Sequence, residues 1–268
     1  MSNYVVAVPS YKRSLEITTK TLPTLKRGKV PKNRIHVFVA NKAEERVYRQ
    51  ALDPNTYGKI VVGKKGIVQQ RQFISRYFPK CQYIVSMDDD VEAVLHLTGN
   101  GRSGGKLSVV GNLDKFFMKA YKKLRKEKLF MWGIYPVNNP FFMYNKTTTD
   151  LRFIIGVMFG YINRHDKSLY PSLKSATKED YHQTILYFLE DNGIVRFNDY
   201  TVKTKFDAPG GLGDTGRFER ADKAAAFLHK KYPKIVTRKQ RKSGKAEINL
   251  DRYTKGRVHP KTYKRKCY

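Results

Sequence analysis

Acidic residues are scarce in this chain: 23 Asp and Glu stand against 53 Lys and Arg in 268 residues, leaving a formal net charge of +30. Cysteine is scarcer still, with only two, Cys81 and Cys267. That number excludes a disulfide framework, and Cys81 in its apolar run reads as a free buried thiol, so a reducing cytoplasm is the expected setting, the host cytoplasm if the protein is viral. No apolar run approaches the ~18 residues of a membrane span. The opening residues Met1–Pro9 lack a basic segment followed by an apolar core, which points to a soluble, unexported chain with no membrane partner. No internal repeat is visible. What is present is a 40% share of hydrophobic residues, enough at this length for a sizeable core, which excludes a disordered tail. One domain, or one domain with an appendage, is expected, and a charge this positive calls for a polyanionic partner.

The basic excess is concentrated at one end. His229 to Tyr268 holds fifteen Lys and Arg against Glu247 and Asp251. This stretch is polar and interleaved with Tyr232, Tyr253, Tyr263 and Tyr268, and should form extended or short helical pieces on the main body or order on binding a partner. The expected division is residues 1–228 for the main domain and 229–268 for a basic extension. Upstream, apolar β-branched runs at Tyr4–Val8, Arg34–Ala40, Lys59–Val62 and Gln82–Met87 read as buried parallel strands. Leu15–Leu22, Ala43–Leu52 and Ile67–Phe78 carry apolar residues at helical spacing between them, giving a Rossmann-like α/β alternation. A basic amphipathic helix is expected at Leu113–Lys128, and strands at Leu129–Tyr135 and Arg152–Tyr161. Next come a helix near Lys178–Asn192, strands at Ile194–Phe197 and Thr201–Phe206, and a helix near Arg217–Lys231. Of the aromatic residues, Trp132, Phe141, Phe142 and Phe159 read as core.

Chemistry concentrates in Tyr83-Ile84-Val85-Ser86-Met87-Asp88-Asp89-Asp90, an apolar strand running into three carboxylates. Ligands bind at such strand ends. Three adjacent acids repel one another, and Asp88 and Asp90, two residues apart, could share one Mg²⁺ or Mn²⁺ through hard oxygens. An acidic turn paired with nearby Lys and Arg would use the same residues. A second pair, Glu179-Asp180, opens a helix. Acids there cap and complement the helix dipole; in combination with a metal-binding triplet, one could also accept a proton during group transfer.

Four motifs in order carry a resemblance. Val5-Val6-Ala7-Val8-Pro9-Ser10-Tyr11-Lys12-Arg13, then Gly66-Ile67-Val68-Gln69-Gln70-Arg71, then Asp88-Asp89-Asp90, then Glu179-Asp180 resemble the opening strand and loop, glycine-helix element, acidic triplet and later Glu-Asp element of GT-A glycosyltransferases. The resemblance spans roughly residues 4 to 220 and implies an α/β fold, a GT-A (Rossmann-like) mixed sheet flanked by helices, here with a basic C-terminal extension. It implies a UDP-sugar donor held near Pro9, Ser10, Tyr11, Arg13, Asn41, Gly66, Gln70, Arg71, Asp88, Asp89 and Gly211. Asn41 stands where the family's second-strand acid contacts uracil. The resemblance further implies a metal, Mn²⁺ or Mg²⁺, at Asp88 and Asp90, with Asp180 as base beside Glu179. No counterpart of the family's C-terminal histidine ligand is evident, since His182 lies beside the base; Asp207 is the residue that could substitute for it. Small size, basicity and Gly210-Gly211-Leu212-Gly213 make the chain similar to the TET-associated and phage DNA-base glycosyltransferases. A plain glycine turn would also account for that loop.

The implied activity is metal-dependent transfer of a hexosyl or pentosyl group, with inversion, to the hydroxyl of a 5-hydroxymethylated pyrimidine in phage DNA, shielding it from host restriction. Charge argues separately for DNA, because saccharide or lipid acceptors do not require it. Aromatic content of 13% also suits stacking on an extruded base. A GT-A enzyme acting on saccharide or protein, a metal-dependent nuclease, and a non-catalytic nucleic-acid-binding protein are the competing readings. If the basic tail holds DNA, neutralising Lys239, Arg241, Lys242 and Lys245 together weakens DNA binding. Each phosphate contact removed should flatten the slope of log affinity against log salt by about 0.9, as a fluorescence titration across salt concentrations would show, with UDP affinity unchanged.

Overall fold

The computed structural model describes residues 4–204, 216–240, 246–251 and 267. Its first strands are β1 (Tyr4–Pro9), β2 (Ile35–Val39), β3 (Lys59–Val62), β4 (Tyr83–Met87), β5 (Ala93–Thr98) and β6 (Lys106–Val109). They are followed by β7 (Met131–Ile134), β8 (Thr147–Thr148), β9 (Met158–Ile162), β10 (Val195–Phe197), β11 (Tyr200–Lys203), β12 (Val236–Gln240) and β13 (Ala246–Leu250). The helices are α1 (Ser14–Glu16), α2 (Leu22–Arg27), α3 (Lys42–Ala51), α4 (Ile67–Tyr77), α5 (Leu113–Glu127), α6 (Glu179–Asp191) and α7 (Arg217–Lys231), with one π turn, Ile17–Thr21, joining α1 to α2. Among the described residues no helix is long and apolar enough to cross a membrane.

Among these residues the largest sheet has the order β3-β2-β1-β4-β9-β7-β10-β8. β3, β2, β1 and β4 are parallel neighbours, β9 runs antiparallel to both β4 and β7, and β10 lies parallel to β7. The expected mixed α/β sheet flanked by helices is therefore the architecture of the chain. Helices cover both faces, so strand residues of either parity lose water, and Val6, Ala7 and Val8 are all fully buried. This explains why the first strands read as unbroken apolar runs. A second sheet, β11-β5-β6, is antiparallel. Helix α5 starts where the Asn112 side chain accepts the Lys115 amide at 2.8 Å. It buries Phe116, Phe117, Ala120, Tyr121 and Leu124 at spacings of three and four, packing Phe116 and Tyr121 edge-on to Trp132, while Lys115, Lys119, Lys122 and Lys126 stay exposed.

Three expectations change. The strand expected at Arg152–Tyr161 starts only at Met158, because the preceding backbone serves side chains instead of a ladder. The Phe153 carbonyl accepts Arg196, and Gly156 bonds Arg71 through its carbonyl and Asp180 through its amide. Cys81 is not a free thiol: it forms a disulfide with Cys267, across a Cα–Cα distance of 5.1 Å. A pair of cysteines 186 residues apart gives no local sign of pairing, and the cysteine count is thus no argument for a reducing compartment. Trp132 and Phe159 are core, but Phe141 and Phe142 are each 54% exposed, since the buried anchor of their turn is the next residue, Met143. The extended pieces expected of the basic tail on the main body are present in part as a hairpin: β12 pairs antiparallel with β13, burying Ile235, Val236, Ala246 and Ile248 in the main core. Helix α7 runs through residues 228 and 229 without a break.

His182 on α6 latches this tail to the body. Its Nδ1 accepts the Ser172 amide at 3.2 Å and lies 2.7 Å from Ser175 Oγ. Nδ1 is therefore the acceptor and Nε2 carries the proton facing Tyr232 Oη, 3.2 Å away. Burial, with Lys231 adding to it, pushes the imidazole down to about 4. The unfolded chain takes up this proton first as pH falls, so the contribution of the latch is present above the unfolded value of about 6.5 and is lost on acidification towards 4. Melting temperatures of the parent should fall more steeply than those of His182→Gln between about pH 7 and pH 5. Parallel curves would refute the latch.

Candidate active site

The triplet Asp88–Asp90 follows β4 at the carboxyl edge of the parallel strands. Thr21 grips it from the helical run below, donating to the Asp88 carbonyl at 2.7 Å and accepting the Val91 amide at 2.9 Å. Thr24 adds a bond to the Glu92 carbonyl at 2.7 Å. The three side chains then diverge. Asp89 turns inward, accepting Ser10 Oγ at 2.5 Å and Arg13 Nη1 at 3.0 Å. Asp90 accepts the same Arg13 nitrogen at 3.1 Å and Thr204 Oγ1 at 2.9 Å. Asp88 keeps 32% of its side-chain surface and has Arg71 Nη2 at 3.6 Å.

Ser10 spends its proton on Asp89, so Tyr48 from α3 donates to Ser10 Oγ at 2.6 Å. Tyr48 also accepts the Arg13 amide at 3.1 Å, which fixes the turn after β1 against the acids. Tyr11 is half-buried there, with the ammonium groups of Lys12 and Lys65 over its ring.

Helix α4 brings the second arginine. Gly66 precedes it at φ +94°, a backbone conformation that favours glycine. One turn on, Gln70 is buried, accepting the Lys64 amide at 2.8 Å and donating to the Val39 carbonyl at 3.2 Å. It braces the loop after β3 against the end of β2. Arg71 is also buried. It donates to Glu179 and to the Gly156 carbonyl at 2.9 Å, and lies over the Phe159 ring at 5.0 Å. Glu179 and Asp180 open α6. Asp180 Oδ1 accepts the Tyr181 amide at 2.9 Å and Oδ2 the Gly156 amide at 3.3 Å, so the helix-end role of this acid is present. Glu179 Oε2 is buried and has no hydrogen-bond partner among the described residues.

Loss of water dominates the electrostatics. It pushes Asp88 up to about 8, opposed by Arg71 and reinforced by Asp90, Asp89 and Glu179. Asp89 rises to about 6 for the same reason, against the pull of Ser10 and Arg13. Glu179 and Asp180 are also raised, by burial above all, with Arg71 opposing in both. The pocket thus favours protons or cations on acids that water would leave ionised.

Of the residues expected at a site, Pro9, Ser10, Tyr11, Arg13, Arg71, Asp88, Asp89, Asp90, Glu179 and Asp180 lie together about the ends of β1 and β4. Gly66 and Gln70 shape this cluster from behind. Asn41 is exposed and caps α3, accepting the Glu44 amide at 2.9 Å. Gly211, with Asp207, Gly210 and Gly213, lies outside the described residues. Sequence reasoning missed Tyr48, Thr21, Thr204 and Gly156, single polar or small residues in segments whose pattern reports only helix, strand or turn. Among the described residues no group of three or more His, Cys, Asp and Glu is arranged to hold an ion.

No protein-family model matches the sequence, and no curated protein does. Solved structures resemble it in chain path. S. aureus TarS 1–349 is 16% identical, with 86% of this chain and 72% of that one covered at a TM-score of 0.48. The same protein in complex with UDP has the same identity and coverage and a TM-score of 0.46. A 4-diphosphocytidyl-2C-methyl-D-erythritolsynthase from Anaerococcus prevotii is 13% identical, covering 84% and 96% of the two chains at 0.38.

Removing Arg71 would strand buried carboxyls. Arg71→Met should therefore cost about 3–5 kcal/mol in a denaturant melt. Without the guanidinium the folded-state carboxyls rise further above their unfolded values, so the loss should grow from about pH 5 to pH 8. A pH-independent loss would assign Arg71 a packing role only.

Proposed function

We propose that the chain is a GT-A glycosyltransferase that moves a sugar from a UDP-sugar to the hydroxyl of a 5-hydroxymethylated pyrimidine in DNA, a modification suited to protecting phage DNA from host restriction. The observation that carries this reading is the meeting of four motifs, far apart in sequence, in two arginine-linked networks around Asp88–Asp90. A nuclease needs clustered acids but no buried arginine joining them to a second acidic pair. For the acceptor, support comes from the +30 charge and from the exposed lysines along α5. Action in the host cytoplasm would place the Cys81–Cys267 disulfide in a reducing setting.

The residues present suit a divalent cation. Asp88 and Asp90 offer hard oxygens, and Asp88, with Arg71 Nη2 at 3.6 Å, keeps 32% of its side-chain surface exposed. Two carboxylates are the protein share typical of Mg²⁺ sites, the rest being water and substrate phosphate. Once bound there, Mn²⁺ or Mg²⁺ would offset charge on the departing diphosphate. Arg13, now on Asp89 and Asp90, can turn to the same phosphates. Pro9, Ser10, Tyr11 and Asn41 are assigned to the nucleotide, as is Gly211 outside the described residues.

Asp180 is the proposed base. The hydroxymethyl oxygen attacks the anomeric carbon as the bond from that carbon to the diphosphate oxygen breaks. The bonding pair leaves with UDP, the hydroxyl proton passes to Asp180, and the carbon inverts. Glu179, held on Arg71, orients the turn that presents Asp180. Elevation of Asp180 by burial makes it a stronger base than an exposed aspartate.

UDP release with Mn²⁺ and a panel of UDP-sugars should require hydroxymethylated DNA. Asp180→Asn should cut turnover by roughly 10²–10⁴-fold with UDP binding retained, and Asp90→Ala should abolish the Mn²⁺-dependent part of UDP binding measured by calorimetry. Release stimulated by saccharide or protein instead of DNA would refute the acceptor. Metal-dependent DNA cleavage would refute the enzyme class.

A further inference from the structure

Phe141 and Phe142 stand out because folding leaves them in water. Each is 54% exposed, and they meet edge to face, ring centroids 5.1 Å apart at 88°. Their turn is nevertheless held firmly. The Asn139 side chain accepts the Phe141 amide at 3.0 Å, the Met143 amide donates to the Pro140 carbonyl at 2.9 Å, and Met143 itself is buried. Gly101 packs so closely on the other side that a Cβ there would sit 2.2 Å from the carbonyl oxygens of both Pro140 and Met143. Asn145 donates to the Gly99 carbonyl at 2.9 Å. Two apolar rings are thus presented on a braced turn, a use of apolar surface that burial cannot explain and contact with a partner can.

The place of the turn suggests the partner. It follows β7, which is antiparallel to β9 as β4 is, so it projects from the same sheet edge as Asp88–Asp90. Its exposed neighbours include the polar or basic Asn138, Asn145 and Lys146, with Val137, 47% exposed, as the apolar exception. An adjoining hollow of about 430 Å³ is lined by His96, Thr98, Asn145, Lys146 and Asp199 among others. Flat rings beside cationic and amide groups match a nucleobase, which offers a π face and sits on an anionic backbone. A lipid surface would call for a broader apolar face than two rings.

We propose that Phe141 and Phe142 are the nucleobase-contacting residues of this enzyme, stacking on a base drawn out of the duplex and so holding the acceptor strand at the cleft. The inference rests on the DNA-acceptor reading above. A pyrimidine hydroxyl cannot reach a recessed donor from within the stack, so a base must leave it and needs a surface to lie against.

The test uses the full chain, single-stranded DNA, and a duplex carrying 2-aminopurine beside a hydroxymethylated pyrimidine. Parent protein should raise the 2-aminopurine fluorescence. The double variant Phe141→Ala/Phe142→Ala should lose that rise and bind single-stranded DNA about 5- to 100-fold more weakly, the span of one lost stacking contact. Its salt slope, UDP affinity and melting temperature should match the parent, because the rings touch neither phosphate nor core. Phe142→Trp should retain binding and show tryptophan quenching by single-stranded DNA. Unchanged DNA affinity and 2-aminopurine response in the double variant overturn this inference alone. A loss confined to binding of phosphatidylglycerol vesicles also overturns it, in favour of a lipid contact. No DNA binding by the parent overturns both the inference and the DNA acceptor.

Discussion

A guanidinium removed from water must find its partners, and the site is organised around that constraint at Arg71. One cation reaches Glu179 at the start of α6, the Gly156 carbonyl ahead of β9, and the neighbourhood of Asp88 after β4. Each of those segments is thereby held to the others more tightly than strand pairing alone would require. The cost of burying the charge is offset only if all partners stay in place. The acids at the sheet edge are consequently built into the fold, and their positions follow from charge compensation as much as from backbone geometry.

Arg13 imposes a division of labour on the triplet. Asp89 is a bracing acid, tied through Ser10 to Tyr48, while Asp90 is buried against Arg13 and Thr204 and Asp88 keeps the most solvent contact of the three. Thr204 reaches Asp90 from the end of β11, so the second sheet, too, is anchored on the acidic edge. A chain of +30 thus keeps an acid-rich cleft within a basic exterior, and the two arginines let those fields coexist. The field outside is positive, while burial raises the proton affinity of the enclosed acids.

The chain's end is less separate than its composition implies. Ile235, Val236, Ala246 and Ile248 join the main core, His182 bonds Tyr232, and Cys267 is linked to Cys81 ahead of β4. Basic side chains on this hairpin are therefore carried on a scaffold fixed to the body.

Much of the fold was legible in the residues themselves. Apolar β-branched runs marked β1 to β4, and β3 and α7 have the expected bounds, because burial on both faces leaves an unbroken signal. The acids at the end of β4 were equally plain as a run of like charge. Other features depend on partners far away in sequence. The pairing of Cys81, the exposure of Phe141 and Phe142, the late start of β9 and the hairpin in a tail of high charge had no local marker. Nor did the grip of Thr21, Tyr48, Thr204 and Gly156 on the acids. Sequence by itself determined which segments must be buried and where like charges crowd together, since side-chain polarity and period are local properties. Only the tertiary structure decided which acid braces, which faces the cleft and which aromatic rings stay in water, because each of those outcomes depends on what another segment brings within a few ångströms.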